Sequence, residues 1–541
     1  MNLNYKEILG YPKIFLDYVY DFEKVNRFYK KNFRNKDEYL LHFKKVTESF
    51  SSRLSNLSEI ISEQYSDFSP SDKTQNNIEK LKSNKTLTVV TGQQLGILGG
   101  PLYTIYKTLT AIKLCEYLSE RYNDFNFVPV FWLEGDDHDF NEVSSIGMLN
   151  LENEFRVINY SEKISNDDDR KSVGKINLNE DINLFFEEIE KTLRPTEFTE
   201  NILNRLKGFY KPGNSFKDAF TQVLFSLFDK YGLLVFDPQD TKIKEILRPV
   251  FKKEISDFRT HTEQVIKASA TLEELYHAQI KVKPVNLFYS NDNGRFLIEL
   301  TDEGFRLKGT RIKFSSDELL NLIETQPQNF SPNVLLRPIC QDYILPTAFY
   351  VGGPSEIAYF AQLLPLYNLF NIEEPIIFPR SSATLIEKGI QKSLDKFKLK
   401  LEDVFVEKEQ LEERIIASIS DDNTDELFKK VKDEFEITFD KLRENLFQLD
   451  KTLGDASSKS QQKIFRYLDE LKNKAENAVK RKHESSIRQI NKISSSLYPN
   501  SNLQERALNF IYFENKYGSD ILDKIYNELE IDKFEHQAIE L

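Results

Sequence analysis

Between Leu87 and Val143 the chain gathers the side chains that suit chemistry on a small polar molecule. Thr91-Gly92-Gln93-Gln94-Leu95-Gly96-Ile97-Leu98-Gly99-Gly100-Pro101 is a glycine-rich turn carrying two amides, and Asp136-Asp137-His138-Asp139 is an acidic cluster holding a histidine. Gly92, Gly96, Gly99 and Gly100 permit positive φ and close backbone approach. A helix starting after Pro101 offers free N–H groups and a positive dipole end, which suits an anion. Gln93 and Gln94 supply amides able to read a polar ligand. The spacing matches neither the dinucleotide fingerprint nor the P-loop pattern, and Lys107 comes too late to act as a P-loop lysine. A tight crossover without a ligand is the competing reading.

Asp137, His138 and Asp139 follow the apolar run Val130-Phe131-Trp132-Leu133. Ionisable groups at the end of a buried strand are costly unless they face a cleft. Carboxylates there can take Mg²⁺ or a substrate amine, and histidine moves protons near neutral pH. Acids capping a helix start would explain one or two of them but not the histidine. A third cluster is Arg337-Pro338-Ile339-Cys340-Gln341-Asp342, followed by Gly352-Gly353-Pro354-Ser355-Glu356. Arg337 suits bidentate pairing with a carboxylate or phosphate; an Arg337–Asp342 ion pair bracing the fold is the alternative. Arg380, after Ile376-Ile377-Phe378, fits a ligand or a structural role equally.

The elements that must hold these groups are legible from periodicity. Leu87–Val90 and Val128–Leu133 read as buried strands flanking a helix from Tyr103, a βαβ unit. In open parallel sheets, ligands sit at the carboxyl ends of the strands. Leu233–Phe236, Thr347–Val351 and Ile376–Phe378 read as further short strands, with Ser355 as a helix N-cap. Asn293-Gly294 reads as a hairpin turn.

From 384 to 497 glycine occurs only at Gly389 and Gly454 and proline is absent. Apolar residues recur at steps of three and four, notably Leu427, Val431, Phe435, Leu442, Leu449 and Leu453. These runs far exceed the usual helix of about 11–12 residues, so they predict two long helices joined near Gly454 in an antiparallel coiled coil. The expected class is α/β. The expected segments are a core over 1–150, a helical insertion over 151–230, a core strand and helix over 231–265 and a small α+β insertion over 266–332. The last core part follows over 333–383, then the coiled-coil arm over 384–497 and a segment over 498–541 that packs back on the core.

Composition narrows the function classes. With 541 residues the chain exceeds the size at which one core stops growing, about 250–300 residues. Its formal net charge of -13 disfavours nucleic acid as a partner. Cys115 and Cys340 are the only cysteines and the six histidines are scattered, so neither a disulfide framework nor a zinc site is expected. No run of about 18 apolar residues predicts a membrane span, and the start of the chain lacks signal-peptide features. A cytoplasmic location is expected.

At several segments the chain resembles the cysteine ligase family of bacillithiol biosynthesis. The segments are Thr91-Gly92-Gln93-Gln94 with Gly100-Pro101-Leu102-Tyr103-Thr104-Ile105, and Gly135-Asp136-Asp137-His138-Asp139-Phe140-Asn141-Glu142. Leu336-Arg337-Pro338 with Gln341-Asp342 and Tyr350-Val351-Gly352-Gly353-Pro354-Ser355-Glu356-Ile357-Ala358-Tyr359 complete the set. Asp136 stands where many relatives are expected to carry Glu. The resemblance implies the last step of bacillithiol synthesis, in which the carboxyl group of cysteine joins the amine of glucosaminyl-malate. It also implies a Rossmann-like core with two connecting insertions, in the manner of class I aminoacyl-tRNA synthetases, and a coiled coil that forms a homodimer.

Amide formation from a free carboxylate is uphill in water, so ATP or another nucleotide is expected, with Mg²⁺ as a possible companion. On this reading Asp137, His138 and Asp139 handle the amine or Mg²⁺, and Gly92, Gln93, Gln94, Gly96, Gly99 and Gly100 line the nucleotide or anion. Tyr103, Trp132 and Arg337 contact substrate, as do Gln341, Asp342, Gly352, Gly353, Glu356 and Arg380, with Arg337 on the malate carboxylates. Without a zinc–thiolate filter, cysteine is selected by pocket shape. The alternative is a non-catalytic nucleotide- or sugar-binding dimer on the same fold; a synthetase-like enzyme for another amino acid is a third option.

Overall fold

The structure is a computed structural model that describes residues 2–51, 56–137, 139–160, 171–419 and 424–541. His138 lies outside the described residues, as do Leu54, whose spacing from Phe43, Val46 and Phe50 predicts one helix face, and the acidic stretch 166–170, expected from its sequence as a solvated loop. The chain divides into two compact units, Met1–Leu385 with Leu503–Ile539, and Ile386–Asn502 with Glu540–Leu541.

The first unit is built on a five-stranded parallel sheet. Its strands are β1 (Thr86–Gln94), β2 (Asn126–Glu134), β3 (Leu234–Phe236), β4 (Thr347–Gly352) and β5 (Ile376–Pro379), in the spatial order β5-β4-β1-β2-β3. All four ladders are parallel. From β1 the chain winds outward through β2 to β3, then returns to the other side of β1 with β4 and moves outward to β5. The strand order therefore reverses at β1, which opens a crevice at the carboxyl ends of β1, β2 and β4.

The strands are near-continuous runs of β-branched and aromatic residues, because helices cover both faces of a parallel sheet. The helix α1 (Leu102–Arg121) links β1 to β2 and is buried along most of its length. The N-terminal helices Lys13–Tyr20, Tyr39–Ser51, Leu57–Gln64 and Asp72–Lys80 precede β1. Phe43 and Val46 of that region sit in the core.

Several sequence expectations shift. β1 does not end at Val90: it runs to Gln94, in register with β2 from Thr86↔Asn126 to Gln94↔Glu134. Gly92 makes this possible, since a Cβ there would lie 2.9 Å from the Trp132 carbonyl oxygen. The region expected to be a helical insertion opens with a strand: Phe155–Asn159 pairs antiparallel with Ser145–Leu149 before the helices Asp181–Thr192, Thr199–Phe209 and Phe216–Phe228. Alternation over only five residues is a weak signal beside three amphipathic helices. Residues 287–332 form a five-stranded antiparallel sheet with the helix Ser316–Thr325. There Asp292 and Asn293 make the turn and Gly294 already begins the next strand.

In the second unit α3 (Thr424–Leu449) and α4 (Lys451–Lys482) run antiparallel. Lys432 on α3 pairs with Asp469 on α4 at 2.5 Å, and Phe447 packs beside Gly454 near the other end. The helices join at Asp450, whose carboxylate caps Thr452 N–H at 2.8 Å, rather than at Gly454. Gly454 lies within α4, where a Cβ would approach the Phe447 ring to 3.1 Å; the glycine serves close packing, not the turn. The coiled coil also begins later than residue 384. Ser382–Ile386 is a strand, and Lys388–Phe397, Leu401–Val404 and Lys408–Ile419 are short separate helices. Among the described residues no helix is long and apolar enough to cross a membrane.

Candidate functional site

A cavity of about 680 Å³ opens at the reversal point of the sheet, a volume typical of small-molecule sites. Gly92, Gln93 and Gln94 come from the end of β1, Trp132, Leu133 and Glu134 from the end of β2, and Tyr350 from β4. Asp136, Asp137 and Glu142 follow β2, while Phe288, Arg295 and Leu297 come from the antiparallel sheet. Arg506, from the C-terminal segment, completes the lining near Arg380 and Tyr103.

Two buried networks shape its polar end. Lys107, on the second turn of α1, is 2% exposed. Its Nζ lies 2.5 Å from Glu356 and donates to the Gly92 carbonyl at 2.8 Å and to Gln93 Oε1 at 3.0 Å. Glu356 also accepts from Tyr350 OH at 2.5 Å and from Gly353 N–H at 2.8 Å. Burial opposes its charge, but Lys107 and these donors hold the carboxyl below its ordinary range. Glu356 thus caps α2 (Pro354–Phe360) through Gly353; Ser355, expected as the cap, lies inside the helix.

The second network centres on Arg337. Its guanidinium donates to Tyr359 OH at 2.9 Å, to Tyr350 OH at 3.3 Å and to Gln341 Oε1 at 3.0 Å, and its Nε lies 3.0 Å from Glu134 Oε1. The expected Arg337–Asp342 pair is not formed. Gln341 stands between the two, donating to Asp342 at 2.8 Å, and Tyr367 OH donates to the other Asp342 oxygen at 2.6 Å. Burial pushes Asp342 up to about 6. Burial likewise pushes Glu134 up to about 7, with Asp136, Asp137 and Glu356 adding to the rise and Arg337 only partly offsetting it. Asp136 behaves oppositely. Burial disfavours its charge, yet Lys244 at 2.8 Å, Arg295 nearby and the Gln239 amide at 2.9 Å hold its pKa below the usual range.

The residues expected to meet substrate divide into two groups. Gly92, Gln93, Gln94, Tyr103, Trp132, Asp137, Arg337, Gly353, Glu356 and Arg380 all line the cavity. Gln93 Nε2 donates to Tyr103 OH at 3.2 Å, and Gln94 Nε2 donates to Asp137 at 2.5 Å and Glu142 at 3.1 Å. Trp132 stacks on Phe236 with ring centroids 5.2 Å apart. Arg380 is spoken for by a bidentate pair with Glu505, at 2.6 and 3.1 Å.

Gly96, Gly99, Gly100, Asp139, Gln341, Asp342 and Gly352 do not line it. The Gly96–Gly100 turn closes on itself, with Gly99 N–H donating to the Gly96 carbonyl at 3.0 Å. Asn509 clamps that turn through the carbonyls of Leu98 and Gly100. The expected anion site at the start of α1 is also closed, because Leu102 N–H donates to the Leu508 carbonyl at 2.9 Å. Asp139 caps the short helix Phe140–Val143. Gly352 instead offers its carbonyl to Arg380 N–H at 2.9 Å.

Of the cavity's charged residues, Glu134 is legible in the sequence only as part of the polar cluster after the strand, Lys107 is set aside as a P-loop lysine, and Lys244, Arg295 and Arg506 are missed. For Lys107 a signal existed, a single charge within the otherwise uncharged run Leu102–Ile112. For Arg295 and Arg506 there was none, since only the tertiary fold brings them to the cavity.

Comparison with known proteins agrees with this architecture. Residues 1–381 match the family described as "Bacillithiol biosynthesis BshC, N-terminal Rossmann-like domain", and residues 383–541 match "Bacillithiol biosynthesis BshC, C-terminal coiled-coil domain". A relative named "Putative cysteine ligase BshC" from Salinibacter ruber is 35% identical over 532 residues, 98% of this chain and 96% of the relative. Relatives of the same name from Chlorobaculum tepidum and Chloroherpeton thalassium are 33% and 35% identical, covering 96% and 97% of this chain and 95% of each relative. From end to end, the chain belongs to the bacillithiol biosynthesis BshC family.

Proposed function

We propose that the protein is an amide-forming ligase that joins the carboxyl group of cysteine to the amine of glucosaminyl-malate, consuming a nucleoside triphosphate, ATP in the first instance. The observation that carries this reading is one cavity, at the reversal point of a Rossmann-like sheet, in a chain matching this ligase family over its whole length. The cavity has an acidic wall, Glu134, Asp137 and Glu142, suited to an amine. It also holds cations with no partner among the described residues, Lys281, Lys283 and Arg506, suited to carboxylates or phosphates.

Asp137 and Glu142, bridged by the Gln94 amide, are the carboxylates that fit a Mg²⁺ ion arriving with phosphates, since Mg²⁺ takes few protein ligands. Gln93 and Gln94 would read the nucleotide or the substrate. Arg337 acts as a positioning residue, holding Glu134, Tyr350 and Tyr359, rather than as the malate clamp. His138 is proposed to move the proton between substrate and solvent. The protein is proposed to work as a cytoplasmic homodimer joined through α3 and α4.

The test is a mass-spectrometric assay for bacillithiol in cells lacking this protein, with and without complementation, followed by purified protein with cysteine, glucosaminyl-malate and ATP. The expected result is thiol product restored by the wild-type chain and sharply reduced by His138→Ala. Ligand-induced thermal shifts without product would instead favour a binding protein.

A further inference from the structure

We infer that Arg506 anchors an oxyanion of the substrates, a carboxylate or a phosphate, in the cavity; this rests on the ligase reading above. The residues before it are pinned. Gln504 exchanges both side-chain hydrogen bonds with the Leu385 backbone, at 2.8 and 2.9 Å, and is 1% exposed. Glu505 is 0% exposed and is held by Arg380, by Ser382 Oγ at 2.8 Å and by Ala383 N–H at 3.2 Å. Leu508 and Asn509, just beyond, are tied to α1 and to the Gly96–Gly100 turn. Arg506 therefore stands on a backbone fixed from both sides.

Its side chain is nevertheless exposed, lines the cavity and makes no hydrogen bond or ion pair among the described residues. The other cations at this end already have partners, Arg380 in Glu505, Lys107 in Glu356, and Arg337 in Glu134, Gln341, Tyr350 and Tyr359. Glu505 is fully buried, turned to Arg380, Ser382 and Ala383, and makes no ion pair with Arg506. A guanidinium on a fixed backbone, unpaired among the described residues and beside neighbours that already have partners, leaves a planar fork free for a carboxylate or a phosphate. Lys281 and Lys283 carry the same charge, but as ammonium groups without the planar fork of a guanidinium.

The experiment uses the full chain as wild type, Arg506→Ala and Arg506→Lys. Steady-state KM is measured separately for glucosaminyl-malate, ATP and cysteine, and direct binding of glucosaminyl-malate and of ATP is measured by calorimetry. The expected result is a rise of about tenfold or more in the KM and Kd of one anionic substrate in Arg506→Ala, as for a lost charge-assisted contact. The KM for cysteine and the melting temperature stay unchanged, and Arg506→Lys recovers only part of the loss. The substrate whose KM moves identifies the oxyanion as carboxylate or phosphate. Values within twofold of wild type for both, or a loss that tracks a lower melting temperature, would overturn the assignment. Wild type that makes no amide but binds either probe about tenfold tighter than Arg506→Ala would overturn the reaction while leaving Arg506 as the anion anchor. Wild type that binds neither probe would overturn both.

Discussion

Lys107 shows how a side chain reaches a site from an unexpected place. It sits too far along α1 for a P-loop, yet its four-carbon stem carries the ammonium back to the end of β1. Glu134 is the residue whose environment makes the sharpest prediction. Its carboxyl stays protonated up to about 7 when folded, against 4.5 as the ordinary value. Between those values the folded state binds more protons than the unfolded state, so stability falls as pH rises through that window. Glu134→Gln cannot ionise and removes the fall. Its stability relative to wild type is expected to rise from near zero at pH 4.5 to about 1–3 kcal/mol at pH 8, read from urea midpoints at both pH values. An equal difference at the two pH values would mean that Arg337 keeps the carboxylate ionised throughout.

At the scale of elements, the glycine-rich stretch is a joint rather than a cradle. A Cβ at Gly96 would lie 2.7 Å from the Gly100 Cα, backbone against backbone. Gly96→Ala is expected to cost about 1–3 kcal/mol, as other overpacking does. Because the turn connects directly to Gly92–Gln94, activity should fall with it. Differential scanning and turnover, measured on the same preparation, check both. Normal turnover in a destabilised variant would separate the turn from the cavity. The C-terminal segment holds this joint: the Leu508 carbonyl takes the Leu102 N–H that an anion would otherwise have used, and the Asn509 amide donates to the turn carbonyls of Leu98 and Gly100.

On the scale of the whole molecule, the second unit leaves an apolar row in solvent. Leu427 is 59% exposed, Leu442 45% and Leu449 78%, with Phe435 at 37%. Their spacing of seven or eight residues marks a seam on α3 for another helix. A second copy of the chain is the proposed occupant. Leu442→Glu combined with Leu449→Glu is expected to convert a dimer to a monomer by light scattering without loss of helical circular dichroism. An unchanged mass would place the seam's partner elsewhere.

Much was written in the order of residues. Buried strands announced themselves as short β-branched and aromatic runs, and the coiled coil as uninterrupted three- and four-residue periodicity, because local geometry alone repeats side chains onto one face. The ends of β1 and β2 were legible for the same reason: polar groups directly after an apolar strand must face something other than core. Which charges remain available to a ligand was decided only by the tertiary structure. Arg337 and Arg380 looked like binding residues in one dimension and proved to be paired with Glu134 and with Glu505. Arg506, which no local pattern marks, lines the cavity with no side-chain partner among the described residues. Ion pairing depends on distances between segments hundreds of residues apart, and a linear pattern does not encode them.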